Sequence, residues 1–293
     1  TLTGNASYSL TLAGNDQDNN YNNSGTVTNL NLIMTGIRAS GDRTVIDVGS
    51  GIRDFTLNDT TNSGNNVHAL GNNLSISGDL TITSGTLNTQ SSGTDRGLTV
   101  TGNIDVDGGN LTINDSAVSC AKLIVESGDT ITAAHSSNAL TVTGTGIGNA
   151  RSIDFTGAIS GTLNIITTHT GTREDDLSAS SGSINHLTVN HASAVMKMNS
   201  SATIGNLTIT AGEFHANDTG GTGKNLTVSS NVIVSSGKLD LDAASSDGNA
   251  NIGGNLTISG GEVIAAGSGS LTVTGHVIAE GTLTGNASTI TIG

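Results

Sequence analysis

Three oxygen-bearing side chains alternate in the stretch NDQDNN, namely Asp16, Asp18 and Asn20. Alternate Asp and Asn oxygens are what a calcium loop wraps around a hard cation, although the glycine and terminal glutamate of that loop are missing here. The segments DVDGGN at 105–110 and DAASSDGNAN at 242–251 are similarly rich in oxygen. A second chemistry, acid–base cleavage of a glycosidic bond, needs two carboxylates flanking the bond. Asp105 with Asp107, Asp240 with Asp242, and the run Glu174, Asp175, Asp176 are the groups that could supply it. Of the seven histidines only His186 and His191 stand near enough in sequence to suggest a metal-ligand pair. Cys120 is the single cysteine, which excludes an internal disulfide and leaves the redox compartment open.

Whatever these side chains do, short alternating strands must hold them. From Asn206 onward four successive lines open on Leu207/Ile209, Val232/Val234, Leu256/Ile258 and Val277/Ala279. A small or glycine-containing corner follows, then a second pair: Phe214/Ala216, Leu239/Leu241, Val263/Ala265, and in the last line Leu283 with Gly285. A third pair closes each line, as Leu226/Val228, Leu271/Val273 and Ile290/Ile292 do, with Ile252 as a weaker version. Period two puts these residues on one strand face and the intervening Thr, Ser, Asp and Glu on the other. Three half-apolar strands bury little alone, so successive lines must stack. The same rhythm holds from Asp79 to Glu126 and blurs between Thr130 and Asn185.

This pattern predicts an all-β chain folded as a parallel β-helix, a β-solenoid of about 12 coils of roughly 20–26 residues with three strands per coil. Residues 1–293 then form a single solenoid domain, with irregular coils over 1–78, a polar loop at 15–25 and more regular coils over 79–293. The alternation sends Asp105, Asp107, Asp240 and Asp242 outward, as solvated face residues, and no catalytic residue is assigned. Cys120 packs as a small residue beside the strand at 122–126. The Asn-x-Ser/Thr sites at Asn5, Asn73, Asn110, Asn206, Asn225, Asn255 and Asn286 read as corner asparagines, which tolerate tight turns and can stack on the Asn of the next coil.

Composition removes several functions. With 24 acidic against 10 basic residues and a net charge of −14, the surface repels phosphate backbones and anionic lipid, so no nucleic-acid partner is expected. No apolar run approaches the length of a transmembrane helix, and membrane insertion is not expected. Aromatic residues make up 2% of the chain, which tells against a propeller with its aromatic-marked blades and against sugar-stacking platforms.

Lines such as GNLTISGG, LTVTG and GNIDVDGGNLTI resemble the repeats of large bacterial and archaeal surface β-solenoid proteins, the group that includes filamentous-haemagglutinin-like adhesins and autotransporter passenger stalks. The resemblance runs from Asp79 onward and implies a structural or adhesive role at the cell surface. The septet TLTGNAS occurs at Thr1–Ser7 and again at Thr282–Ser288, and the closing TITIG is an uncapped strand pattern. The opening at Thr1 without Met reads as a mature or excised piece of a longer product.

An open solenoid end is a bare set of strand edges. The expected assembly interface is therefore Thr1, Leu2, Thr3, Leu10 and Leu12 at one end with Leu283, Ile290 and Ile292 at the other. The function expected is that of a non-enzymatic, extracellular structural protein, the repeating subunit of a cell-surface filament, sheath or surface layer that polymerises head to tail with itself. The alternative is a carbohydrate-binding adhesin or tailspike-like fibre segment with surface glycans as partners. An ice-binding array of Thr-x-Thr pairs and a polysaccharide-degrading enzyme rank below both. No cofactor is required, and calcium at Asp16, Asp18 and Asn20 is the optional ion.

Overall fold

The computed structural model describes residues 2–5, 7–13, 21–22, 26–35, 43–47, 50–60, 66–146, 151–177, 184–218, 221–242, 248–265, 267, 269–285 and 289–293. The calcium ligands expected at Asp16, Asp18 and Asn20, and the interface residue Thr1, lie outside them. No helix occurs among the described residues, and short parallel strands stack into a β-solenoid, as the alternation predicts. The chain divides into two compact units, Thr1–Thr141 with Phe155–Leu163, and Val142–Asp154 with Asn164–Gly293.

In the first unit each coil runs through a first strand, a second and a third, and like strands lie on like. The second strands carry two inward columns. One passes from Leu10 through Leu32, Phe55, Leu80 and Ile104 to Leu123, the other from Leu12 through Met34, Leu57, Ile82 and Val106 to Val125. From Leu32 and Met34 onward both columns are fully buried. Sequestering such a side chain contributes about 1.5–3 kcal/mol, and the columns repeat that gain in every coil. Parallel pairing joins Leu30–Thr35 to Ile52–Asn58, with a shift of register between Leu30 and Leu32. His68 takes an inward place on the third strands, between Thr44 and Leu87, and its Nε2 lies 3.0 Å from Oδ2 of the equally buried Asp59.

The second unit repeats the scheme. Leu207, Val232, Leu256 and Val277 stack on the first strands, Met196, Phe214, Leu239, Val263 and Leu283 on the second, and Ala202, Leu226, Ala250, Leu271 and Ile290 on the third. The corner between first and second strands closes tightly. A Cβ on Gly237 would stand 2.3 Å from the Gly212 carbonyl oxygen, and one on Gly261 would stand 2.4 Å from that of Gly237, so this corner excludes side chains.

Asparagines staple the neighbouring corner from coil to coil. The Asn206 side-chain oxygen accepts from Asn231 N at 3.3 Å, that of Asn231 from Asn255 N at 2.9 Å, and that of Asn255 from His276 N at 2.9 Å. The first unit uses the same device with carboxylates, as Asp54 accepts from Asp79 N at 3.1 Å and Asp79 from Asn103 N at 2.7 Å. The expected stacking of corner asparagines is present, and it engages the amide side chains of two glycosylation sequons, Asn206 and Asn255.

Candidate functional site

The first and last described strands of the ladders are paired as follows. Leu2–Thr3 pairs with Val27–Thr28 and Ser9–Ala13 with Leu30–Thr35, each along one side only among the described residues. At the other edge Val277–Ala279, Thr282–Gly285 and Thr289–Ile292 pair with Leu256–Ile258, Glu262–Ala265 and Ser270–Val273, again along one side. Apolar columns surface at both edges. Leu2 is 39% exposed and Ile292 55%, and Leu10, Leu12, Leu283 and Ile290 are half-buried, whereas Val263 and Leu271 one coil inward are fully covered.

The repeated septet does not occupy equivalent places. Thr1–Ser7 contributes the first strand of its coil through Leu2–Thr3, while Thr282–Gly285 is a second strand, on the column of Val263. The second strand at the N-terminal edge is instead Ser9–Ala13, on the column of Leu32.

The only group of three metal-ligating side chains among the described residues is Glu213, His215 and Asp240, whose ligand atoms lie within 4.8 Å of one another. A cation already sits among them. Lys238 Nζ is 3.0 Å from Glu213 Oε2 and 3.1 Å from Asp240 Oδ2, and His215 Nε2 is 2.6 Å from the same Glu213 oxygen. Burial pulls the Lys238 pKa down, but the hydrogen bonds to Glu213 and Asp240 outweigh it and hold the ammonium above its usual value. For Glu213 burial pushes up, and the His215 and Lys238 hydrogen bonds win and hold it below its usual value. A shallow trough of about 540 Å³ runs beside this group, floored by Gly212, Gly237 and Gly261 and walled by Glu213, Lys238 and Glu262. Asp240 is thus not the solvated residue that strand parity suggested, since it is 7% exposed and covered by its ion pair. Sequence reading missed Glu213 and Lys238, although their shared register on successive second strands was a usable signal.

The run Glu174, Asp175, Asp176 is not a solvated acidic patch at its centre. Asp175 is fully buried, and its Oδ1 accepts from Ser152 N at 2.7 Å, Ser152 Oγ at 2.6 Å and Ile153 N at 2.8 Å. Burial pushes its pKa up to about 6 against these hydrogen bonds and the Arg173 charge, which lower it. Arg173 points the same way along the strand, with its terminal nitrogens donating to the Thr172 and Gly144 carbonyls. His169, also buried, is held near a pKa of about 4 by burial and then by the Arg173 charge. The side chains of Glu174 and Asp176 lie outside the described residues.

The remaining candidates are separate. Asp105 faces outward as expected, its carboxyl raised by partial burial and then by Asp107 and Glu126. His186 and His191 do not converge on one ligand: His186 Nε2 lies 2.8 Å from Thr208 Oγ1, and His191 Nδ1 accepts from Ser193 N at 3.2 Å. Cys120 is buried, which pushes its thiol up to about 12. No family model, no curated protein and no solved structure matches the chain.

Proposed function

We propose that this chain is a structural, extracellular β-solenoid that serves as the repeating subunit of a cell-surface filament, sheath or surface layer, joined end to end. The observation that supports the reading is the ladder of stacked parallel strands with its buried columns of Leu, Ile and Val, a contact that repeats from coil to coil and that would join one copy to another in the same way. Natural sheet edges are blunted by Lys, Pro, bulges or inward charge. The chain contains no Pro, and none of residues 1–15 or 281–293 is Asp, Glu, Lys or Arg. A protein of net charge −14 repels its own copies over most of its surface, so contact costs least through uncharged segments such as these.

The internal joints set the scale of such a contact. The last coil meets the one before it through three, four and four residue pairs on its three strands, comparable to the ~10 hydrogen bonds of an ordinary protein interface. Contact between unlike ends is heterologous and does not close, which yields filaments. The polar groups support the same reading, since Asp175, Glu213 and Asp240 are engaged in hydrogen bonds or ion pairs that fasten coils rather than aimed at a substrate. The resemblance of the repeats to surface proteins is what favours an extracellular location in this reading.

Electron microscopy of the purified chain, with calcium and with chelator, tests the reading. Thin unbranched fibres that vanish when residues 1–13 or 282–293 are deleted are expected. Isolated particles in both conditions, or fibres that survive both deletions, would overturn it.

A further inference from the structure

We propose that the second unit holds, on the buried guanidinium of Arg173, a site for one small monovalent anion of the chloride class, and that the anion enters together with a proton on Asp175.

Arg173 carries a charge that nothing of opposite sign touches. It is 6% exposed, and its terminal nitrogens donate to two neutral carbonyls, those of Thr172 at 3.1 Å and Gly144 at 3.4 Å. Its Nε–H is shut off from solvent with no protein acceptor, and it forms no ion pair among the described residues. Asp175, two residues on along the strand Gly171–Leu177, turns Oδ1 to Ser152 and Ile153, while its buried Oδ2 has no donor. Buried polar groups that lack a protein partner are satisfied by an ordered water or ion, and a buried charge without a partner is the costlier case.

Access lies on one side of the guanidinium. A Cβ on Gly144 would stand 2.5 Å from His169 Cβ and 3.5 Å from Arg173 Nε, so that flank is closed. A Cβ on exposed Gly171 would meet only Arg173 Nη1, at 3.9 Å, so a small solute reaches the guanidinium past Gly171. The solute must accept from Nε–H and balance a positive charge, which excludes a cation. Across from Arg173 and Asp175 lie Met196 and Met198, both fully buried, and such an interior disfavours a multivalent anion.

Ionised Asp175 competes with the anion, because its charge already acts on Arg173 through space. Once protonated, it leaves the anion as the countercharge. Its folded pKa of about 6 puts the exchange near that pH. His169, held near about 4, stays neutral there, and His191 acts on it from the next strand. Arg151 and Asp154, beside Ser152, pair with each other at 3.2 Å, and Lys197 lies opposite Glu174 on the outward face.

Urea unfolding in sodium chloride and in sodium gluconate of equal ionic strength tests the site, gluconate being too large to enter. Relative to gluconate, chloride should raise the parent's midpoint at pH 5 and leave it unchanged at pH 7.5. Asp175→Asn should show the rise at both pH values and Arg173→Gln at neither. A chloride effect that persists in Arg173→Gln, or none in the parent at pH 5, would overturn the proposal. Crystals of the parent grown in sodium bromide at pH 5 keep the test decisive if Arg173→Gln fails to fold. An anomalous peak within hydrogen-bonding distance of Arg173 Nε is expected. A water in that place, or a guanidinium turned directly onto Asp175, would overturn the site.

Discussion

Asp175 Oδ1 lies 2.6 Å from Ser152 Oγ and 2.7 Å from Ser152 N, in the interior of its unit. A carboxyl so placed clips two segments of chain together, and it also makes stability depend on pH. Its folded pKa of about 6 stands above the ordinary 3.8, so the folded state takes up the proton first as pH falls. The contribution of Asp175 therefore becomes more favourable from pH 6 down to about 4. Buried His169 works in the opposite direction. Its folded pKa of about 4 lies below the ordinary 6.5, so its contribution is present above 6.5 and lost on the way down to 4. The two slopes oppose each other between pH 4 and 6. Asp175→Asn keeps an acceptor for Ser152 but removes one slope. Its unfolding free energy should therefore fall more steeply with acid than that of the parent, by up to about 1.4 kcal/mol per pH unit. Urea unfolding across pH 4–7 measures this, with His169→Gln expected to change the slope in the reverse sense. Parallel curves for all three proteins would show that the assignments are wrong.

The asparagine corner makes a second prediction. Asn231→Ala removes the acceptor for Asn255 N at a site open to water, where the freed amide can be solvated. The expected loss is about 1 kcal/mol, the net worth of one such hydrogen bond. His276 takes the next place by its backbone alone, because Asn255 accepts from His276 N. His276→Ala should therefore leave the urea midpoint unchanged within about 0.5 kcal/mol. Equal effects of the two substitutions would remove the staple as a source of stability.

Cys120 supplies a third. The thiol is buried and pushed up to about 12, so at pH 8 almost none of it is thiolate. A thiol reagent should label the native chain only as fast as the protein opens, and label it at once in denaturant. Rapid labelling of native protein at pH 8 would contradict this burial.

Much of the fold was legible because its cause is local. Leu207/Ile209, Val232/Val234 and Leu256/Ile258 alternate strictly, and strict alternation repeated at the coil period admits few structures besides stacked parallel strands. Between Thr130 and Asn185 the rhythm was lost for a physical reason that the structure identifies. Inward places there are held by His169, Arg173 and Asp175, whose burial depends on partners such as Ser152 and Gly144 that are distant in sequence. Asp240 failed for the opposite reason. It does point away from the core, and Lys238 on its own strand covers it. Parity fixes the face on which a side chain lies, and only the neighbouring coil fixes what meets it there.

Lys238 decides the last prediction. Its ammonium stands between Glu213 and Asp240, 3.0 Å from one carboxylate and 3.1 Å from the other, where a metal ion would otherwise satisfy Glu213, His215 and Asp240 together. With the lysine present, a divalent ion must displace a positive charge that already has two hydrogen-bonded partners, and binding should be weak. Lys238→Ala leaves two carboxylates and an imidazole facing one another beside an open trough, with their mutual repulsion uncompensated. One nitrogen and two oxygen ligands suit zinc or manganese. Titration calorimetry with zinc should accordingly show one added site per chain in Lys238→Ala, absent from the parent and lost again in Lys238→Ala/His215→Ala. Apo Lys238→Ala should be less stable than the parent, and zinc should recover part of the difference, since an ion that binds only the folded state stabilises it by mass action. Equal zinc binding by parent and variant would mean that the ammonium does not guard the site; no binding by either would mean that the three ligands do not converge.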